Sequence, residues 1–164
     1  AADVRAASAA GAAGVVVGAL TDDGQVDAQA LRRWRAAAGD STLVFHRAID
    51  AAPSPLAVLD ELAAIGVDRV LTSGGAARSV DGTDMLRRLV AADTGIEIMA
   101  GGGIRVGDIA RIVAVGVDAV HLSARAVAGL DVPSGPGGGA GGHDVTDPVV
   151  VAAAEAAVRS TLSG

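Results

Sequence analysis

The chain repeats itself. AIGVDRVLTSG (Ala64 to Gly74) aligns with AVGVDAVHLSA (Ala114 to Ala124), and more weakly with AAGAAGVVVGA (Ala9 to Ala19). Each copy reads as the end of a helix, a glycine where the helix stops, a short β-branched strand and a small polar finish. The first two copies lie 50 residues apart, which is two strand–helix units. A chain that alternates in this way is confined to parallel strands joined by right-handed crossovers.

Read in order, five short apolar runs have the length and composition of buried strands: Gly14 to Leu20, Thr42 to Arg47, Asp68 to Ser73, Ile96 to Ala100 and Asp118 to Ser123. Helices are predicted between them. Asp27 is placed to cap one that runs to Ala38. Ser54-Pro55 supplies a cap followed by proline at the first helical position. Gly82 to Asp93 carries the stripe Met85, Leu86, Leu89 and Val90, and Val106 to Val115 shows Ile109, Ile112 and Val113. The segment Asp3 to Ala10 is also helix-prone. After Leu130 the pattern stops. VPSGPGGGAGG (132–142) has no apolar periodicity and reads as a flexible Gly-rich loop, and a C-terminal helix is expected over 147–162.

Strand residues alternate sides. That parity puts Val70, Thr72, Val120 and Leu122 against helices. It turns Leu71, Ser73, His121 and Ser123 the other way, with Val44, His46, Glu97 and Met99. Polar residues on an inner face near the C-terminal strand ends fit a (β/α)8 barrel, whose site lies at that rim. A doubly wound sheet would instead place a ligand at a switch point. The expected fold is α/β: a partial (β/α)8 TIM barrel of five parallel strands alternating with helices. With 164 residues against the ~250 typical of that barrel, the N-terminal strands are expected to be missing. The whole of 1–164 is read as a single, N-terminally truncated domain.

Composition narrows the function. The formal charge is −6 with no basic run, which argues against a nucleic-acid partner. No run approaches the ~18 apolar residues of a membrane span. There is no cysteine, so thiolate metal sites within the chain are ruled out. No signal-peptide pattern opens the chain, and a cytoplasmic protein is the default expectation. A homo-oligomer is compatible with open sheet edges.

Two stretches carry chemistry. TLVFHRAID (Thr42 to Asp50) delivers His46, Arg47 and Asp50 together at the end of an apolar strand, a costly placement unless they pair or serve a ligand. They are candidate catalytic residues, an acid–base and anion-clamping group; an internal Arg–Asp pair beside a structural histidine is the other reading. Gly101, Gly102 and Gly103 end strand four, where amides can turn toward a phosphate without Cβ obstruction. Thr72, Ser73, Gly74 and Ser123 are added as candidate anion-binding residues. No pair has short metal-ligand spacing, so a metal would have to use His46, Met99 or His121.

The segments FHRAID (Phe45 to Asp50), RVLTSGG (Arg69 to Gly75), IMAGGGIR (Ile98 to Arg105) and VHLSAR (Val120 to Arg125) resemble those of the CutC copper homeostasis protein family, in its order and spacing. GVVVGALTDDGQVD (Gly14 to Asp27) is similar too. The resemblance implies a cytoplasmic TIM-type barrel, with His46, Arg47, Asp50, Thr72, Ser73, Gly101 to Gly103 and Ser123 at the family's site positions. It also makes copper the implied cofactor or cargo, although soft copper(I) prefers the thiolates this chain lacks. Two functions stay open. One is a CutC-like protein of copper homeostasis that binds copper. The other is a barrel enzyme acting on a small phosphorylated or anionic metabolite. The expected partner is thus a metal ion or a small anion.

Overall fold

The computed structural model describes residues 1–128 and 142–162. Helix α1 (Ala2–Ala9) leads to β1 (Gly14–Val17), α2 (Ala28–Ala38), β2 (Thr42–Phe45), α3 (Pro55–Ile65), β3 (Arg69–Thr72), α4 (Thr83–Ala91), β4 (Glu97–Gly101), α5 (Ile109–Val113) and β5 (Ala119–His121). These five strands form one sheet in the order β1-β2-β3-β4-β5, every neighbouring pair parallel. The order never reverses. Successive units are laid side by side, as in a (β/α)8 barrel, of which this is an open part, and not as in a doubly wound sheet.

The two faces of the sheet differ as the alternation predicts. Leu43, Phe45, Val70, Thr72, Ile98 and Ala100 are all buried on the helix side. They pack with Leu31, Leu59, Leu62, Leu86, Leu89, Ile109 and Ile112 from the helices, which also lose essentially all exposure. Strand register joins Val16 to Val44, Arg69 to Glu97, Leu71 to Met99 and Gly101 to His121 on the other face. Val16 is 63% exposed there, and Leu71, Met99 and His121 keep partial or full exposure. The Arg69 guanidinium pairs with Glu97 across that face.

The repeated Gly-Val-Asp has a structural job. Gly66 and Gly116 close their helices at φ +87° and +93°, a conformation that favours glycine. The Asp68 amide then donates to the Leu43 carbonyl at 3.0 Å, while its carboxylate accepts from the Leu43 amide at 2.7 Å. Asp118 does the same to Ile98, at 2.9 and 2.7 Å. Each aspartate thus pairs with both backbone groups of a residue on the preceding strand and fixes the start of its own strand.

Several expectations are refined. Asp27 caps α2 through the Ala30 amide at 2.9 Å. Ser54 stands at the start of α3 with proline after it, but its side chain makes no capping bond. The helix expected over 106–115 divides into a 3₁₀ turn, Val106–Asp108, and α5. An antiparallel hairpin of β6 (Arg125–Ala128) and β7 (His143–Thr146) was not foreseen. The final helix α6 (Pro148–Leu162) forms as expected and packs against α5. The loop predicted at 132–142 lies, apart from Gly142, outside the described residues.

Candidate functional site

The C-terminal strand ends bring most of the expected residues to one rim, and Asp50 organises the part between β2 and β3. It sits in the 3₁₀ turn Arg47–Ala51 that follows β2, with a side chain 10% exposed. One carboxylate oxygen accepts from the Thr72 hydroxyl at 2.6 Å and the Gly75 amide at 3.0 Å. The other accepts from Arg47 Nε at 2.8 Å and the Ser73 amide at 3.0 Å, and lies 3.0 Å from Ser73 Oγ. Burial alone pushes the Asp50 carboxyl up. The hydrogen bonds from Thr72, Arg47, Ser73 and Gly75 outweigh it and hold the group below its ordinary range.

The Ser73–Gly75 turn is therefore an anion nest filled by the protein's own carboxylate. Gly74 completes it at φ +71°, its amide donating to Thr72 Oγ1 at 2.9 Å. A Cβ on Gly74 would stand 2.3 Å from the Gly82 carbonyl oxygen, so the loop closes here by backbone contact. Thr72 and Ser73, expected to serve a ligand, spend their polar groups on Asp50 and its neighbours.

His46 ends β2, and its Nδ1 accepts from the Ala48 amide at 3.1 Å, capping the turn that carries Arg47 and Asp50. A nitrogen that accepts a backbone N–H carries no proton, so Nε2 is the nitrogen left to donate. The ring lies over Gly18, whose added Cβ would come within 2.4 Å of it. That places His46 toward β1, whereas Met99 and His121 lie on β4 and β5, beyond β3. The three metal candidates are not brought together, and among the described residues no group of three or more His, Cys, Asp or Glu side chains is placed to hold a metal ion. Met99 and His121 alone share a face of adjacent strands, diagonally across the register Gly101↔His121.

The glycine triplet behaves differently from the Ser73–Gly75 nest. Gly102 has φ +138° and Gly103 +59°. Among the described residues the amides of Gly103 and Ile104 have no hydrogen-bond partner, nor have those of Leu122 and Ser123. The Gly102 carbonyl is held by the Ser79 amide at 2.9 Å. Arg47 leans over Gly102 and Arg78 over Gly103. Their Nη1 and Cγ atoms would lie 3.0 and 3.1 Å from a Cβ added at those glycines. An open cleft of about 630 Å³ follows, lined by the triplet, Ser123, His121, Arg47, Arg78, Arg105 and Arg125, with Leu71, Ile104 and Leu122 as its apolar part. Among the described residues no carboxylate lines it.

Arg78 is held by Asp108 at 2.6 Å, and Arg125 by Asp144 at 3.0 Å across the hairpin. The Arg105 amide is the chief cause that holds the Asp108 carboxyl below its ordinary range, with Arg78 adding to it against the effect of burial. Arg78, Ser79 and Asp108 were missed from sequence. Their signal was an Arg-Ser pair in the loop after a strand end, followed by a second loop with an acid three residues after Arg105.

Residues 1–126 match the model of the CutC family. The chain belongs to the CutC family. A family protein CutC of Serratia proteamaculans is 39% identical over 124 residues, which are 76% of this chain and 48% of the relative. One from Citrobacter koseri is 41% identical over 124 residues, 76% of this chain and 50% of the relative. The chain spans about half the length of the curated relatives it matches. The solved structure of CutC from Streptococcus agalactiae, described as a copper homeostasis protein, aligns with TM-score 0.69 at 29% identity over 73% of this chain and 60% of that one. Inosine 5′-monophosphate dehydrogenase from Legionella pneumophila aligns with TM-score 0.65 at 18% identity over 98% of this chain and 62% of that one, a likeness of fold alone. The segments that carried the resemblance all lie within the matched residues. No helix among the described residues is long and apolar enough to cross a membrane.

Proposed function

We propose that the C-terminal rim of this CutC-family chain binds a small phosphorylated or carboxylated molecule, its anionic group held at Gly101, Gly102 and Gly103. The observation that carries this is the cleft: four arginines, a histidine and the amides of Gly103 and Ser123 converge with no carboxylate among the described lining residues. Asp50, Asp108 and Asp144 pair with Arg47, Arg78 and Arg125 from outside the lining and hold them at its edge, and each charge-assisted bond an anion then forms there is stronger than a neutral one. The cleft of about 630 Å³ suits a metabolite and not a polymer. The filled nest around Asp50 supports the same reading, since it displays the strand-end geometry with a carboxylate already in it. His121 and Ser123 are the groups able to handle a proton near such a ligand.

Titration with inorganic phosphate tests this. We expect saturable binding that weakens as salt rises and falls at least about tenfold in Arg105→Ala. Binding that is indifferent to salt and to that substitution overturns the reading.

A second reading, copper carried as cargo, has one observation in its favour: Met99 and His121 share the open face of adjacent strands. Two ligands of this kind suit copper(I) better than copper(II), but supply less than thiolates would. Against a competing chelator we expect copper(I) binding no tighter than micromolar. A nanomolar site lost in Met99→Leu would make the metal, and not the anion, the ligand of this rim.

A further inference from the structure

We propose that Asp50 is a positioning residue: it fixes the Arg47 guanidinium beside the glycine triplet, so that Arg47 reads a bound anion in one preset pose. The proposal rests on the anion reading above. Its evidence is a relay of contacts across three strand ends. The turn after β3 fixes Asp50 through the Thr72 hydroxyl and the Ser73 and Gly75 amides. Asp50 in turn accepts from Arg47 Nε at 2.8 Å, and Ser73 Oγ accepts from Arg47 Nη2 at 2.8 Å. Two bonds at two different nitrogens set both the place and the rotation of a planar fork. The remaining nitrogen, Nη1, is the one that overhangs Gly102. Among the described residues it has no partner.

The arrangement accounts for two otherwise unconnected facts. A carboxylate at the rim of an anion site would normally repel the ligand. Here it is 10% exposed and turned away behind the arginine it holds. Gly102 must also lack a side chain, both for its φ of +138° and because Arg47 occupies the space a Cβ would need. Lysine at 47 could reach the same acceptors only as a point charge and would leave no further nitrogen fixed over Gly102.

The test is a set of phosphate titrations on the full chain, with circular dichroism confirming each fold. Arg47→Ala should weaken binding about tenfold, with Arg47→Lys close to it, and Asp50→Asn alone about fivefold. In the Arg47→Ala background, Asp50→Asn should add less than about twofold, because a positioning residue has nothing left to position. Millimolar methylguanidinium should restore binding to Arg47→Ala and not to Arg47→Ala/Asp50→Asn, a difference that loss of structural support alone would not produce. Should Asp50→Asn fail to fold, Ser73→Ala removes the second hold: about a threefold loss, absent in the Arg47→Ala background. An Asp50→Asn or Ser73→Ala effect of equal size with and without Arg47 overturns the proposal. Wild-type affinity in Asp50→Asn overturns it as well. If instead both Arg47→Ala and Arg78→Ala bind phosphate as the wild type does, the anion reading itself fails and takes this inference with it.

Discussion

The two closest copies of the repeat begin alike and end differently. In both, a left-handed glycine stops a helix, a valine is buried, and an aspartate pairs with the backbone of the preceding strand. In both, a β-branched strand of three or four residues follows. The first copy then runs into Thr72-Ser73-Gly74, whose donors close around Asp50. The second runs into Leu122-Ser123-Ala124, where no such carboxylate arrives among the described residues, and opens onto the arginine-lined cleft. One unit of the fold has its anion built in, and the other borders the cleft proposed to take one. A strand end of this architecture is thus a site by default, and whether it serves structure or ligand depends on what the neighbouring loop brings to it.

Removing the built-in anion is the most severe way to break this comparison. Asp50→Ala strands the buried Thr72 hydroxyl and Ser73 amide and releases the exposed Gly75 amide and the partly exposed Arg47 guanidinium, and should cost about 2–4 kcal/mol in urea unfolding at neutral pH. Ser123→Ala, at the corresponding end of the second copy, should cost less than about 0.5 kcal/mol. Similar losses at the two positions would mean that the ends are not functionally distinct.

Acid gives a milder version of the same experiment. The folded-state carboxyl of Asp50 titrates below its unfolded value of about 3.9. Its stabilisation is therefore complete above that value and is lost as pH falls through the lower, folded one. Thermal melts should show stability dropping as pH falls below the ordinary carboxylate range, and Asp50→Asn should flatten part of that limb while lowering stability at neutral pH. Asp108, held low by the Arg105 amide and Arg78, leaves a residual slope in the variant. A limb of unchanged steepness in Asp50→Asn would remove Asp50 from the acid response.

What could be read from the sequence follows from which interactions are local. The five strands were legible because short β-branched runs lie between glycine stops, and the inward set Val44, Leu71, Met99 and His121 because parity survives any parallel register. The rim could be guessed because barrel sites lie at strand C-termini. The partnership of Asp50 could not be, since its donors come from a turn 22 to 25 residues on, and the same acid reads equally well as catalytic. Arg78 and Arg105 were hidden for a related reason: loops carry no periodicity, so only the folded chain shows which loop residues face one another. The hairpin of β6 and β7 escaped notice because neither RAVA nor HDVT is long or apolar enough to signal a strand. Each is stabilised by the other.

The smallest expected effect tests the half of the comparison in which the copies agree. Asp118→Ala removes one charge-assisted bond to the Ile98 amide and should cost about 1 kcal/mol. Asp68→Ala removes the matching bond to Leu43 and also an ion pair with Arg35 at 2.8 Å. That additional partner should matter little. The Asp68 side chain is 51% exposed, so the pair is screened, and Arg35 also donates to the carbonyls of Gly39, Ser41 and Gly66, which keep it in place. The two substitutions should therefore agree within about 0.5 kcal/mol in low salt and converge further as salt is added. A gap above about 2 kcal/mol that persists in high salt would show that Asp68 does something in its unit that Asp118 does not, and that the repeat is one of sequence more than of energetics.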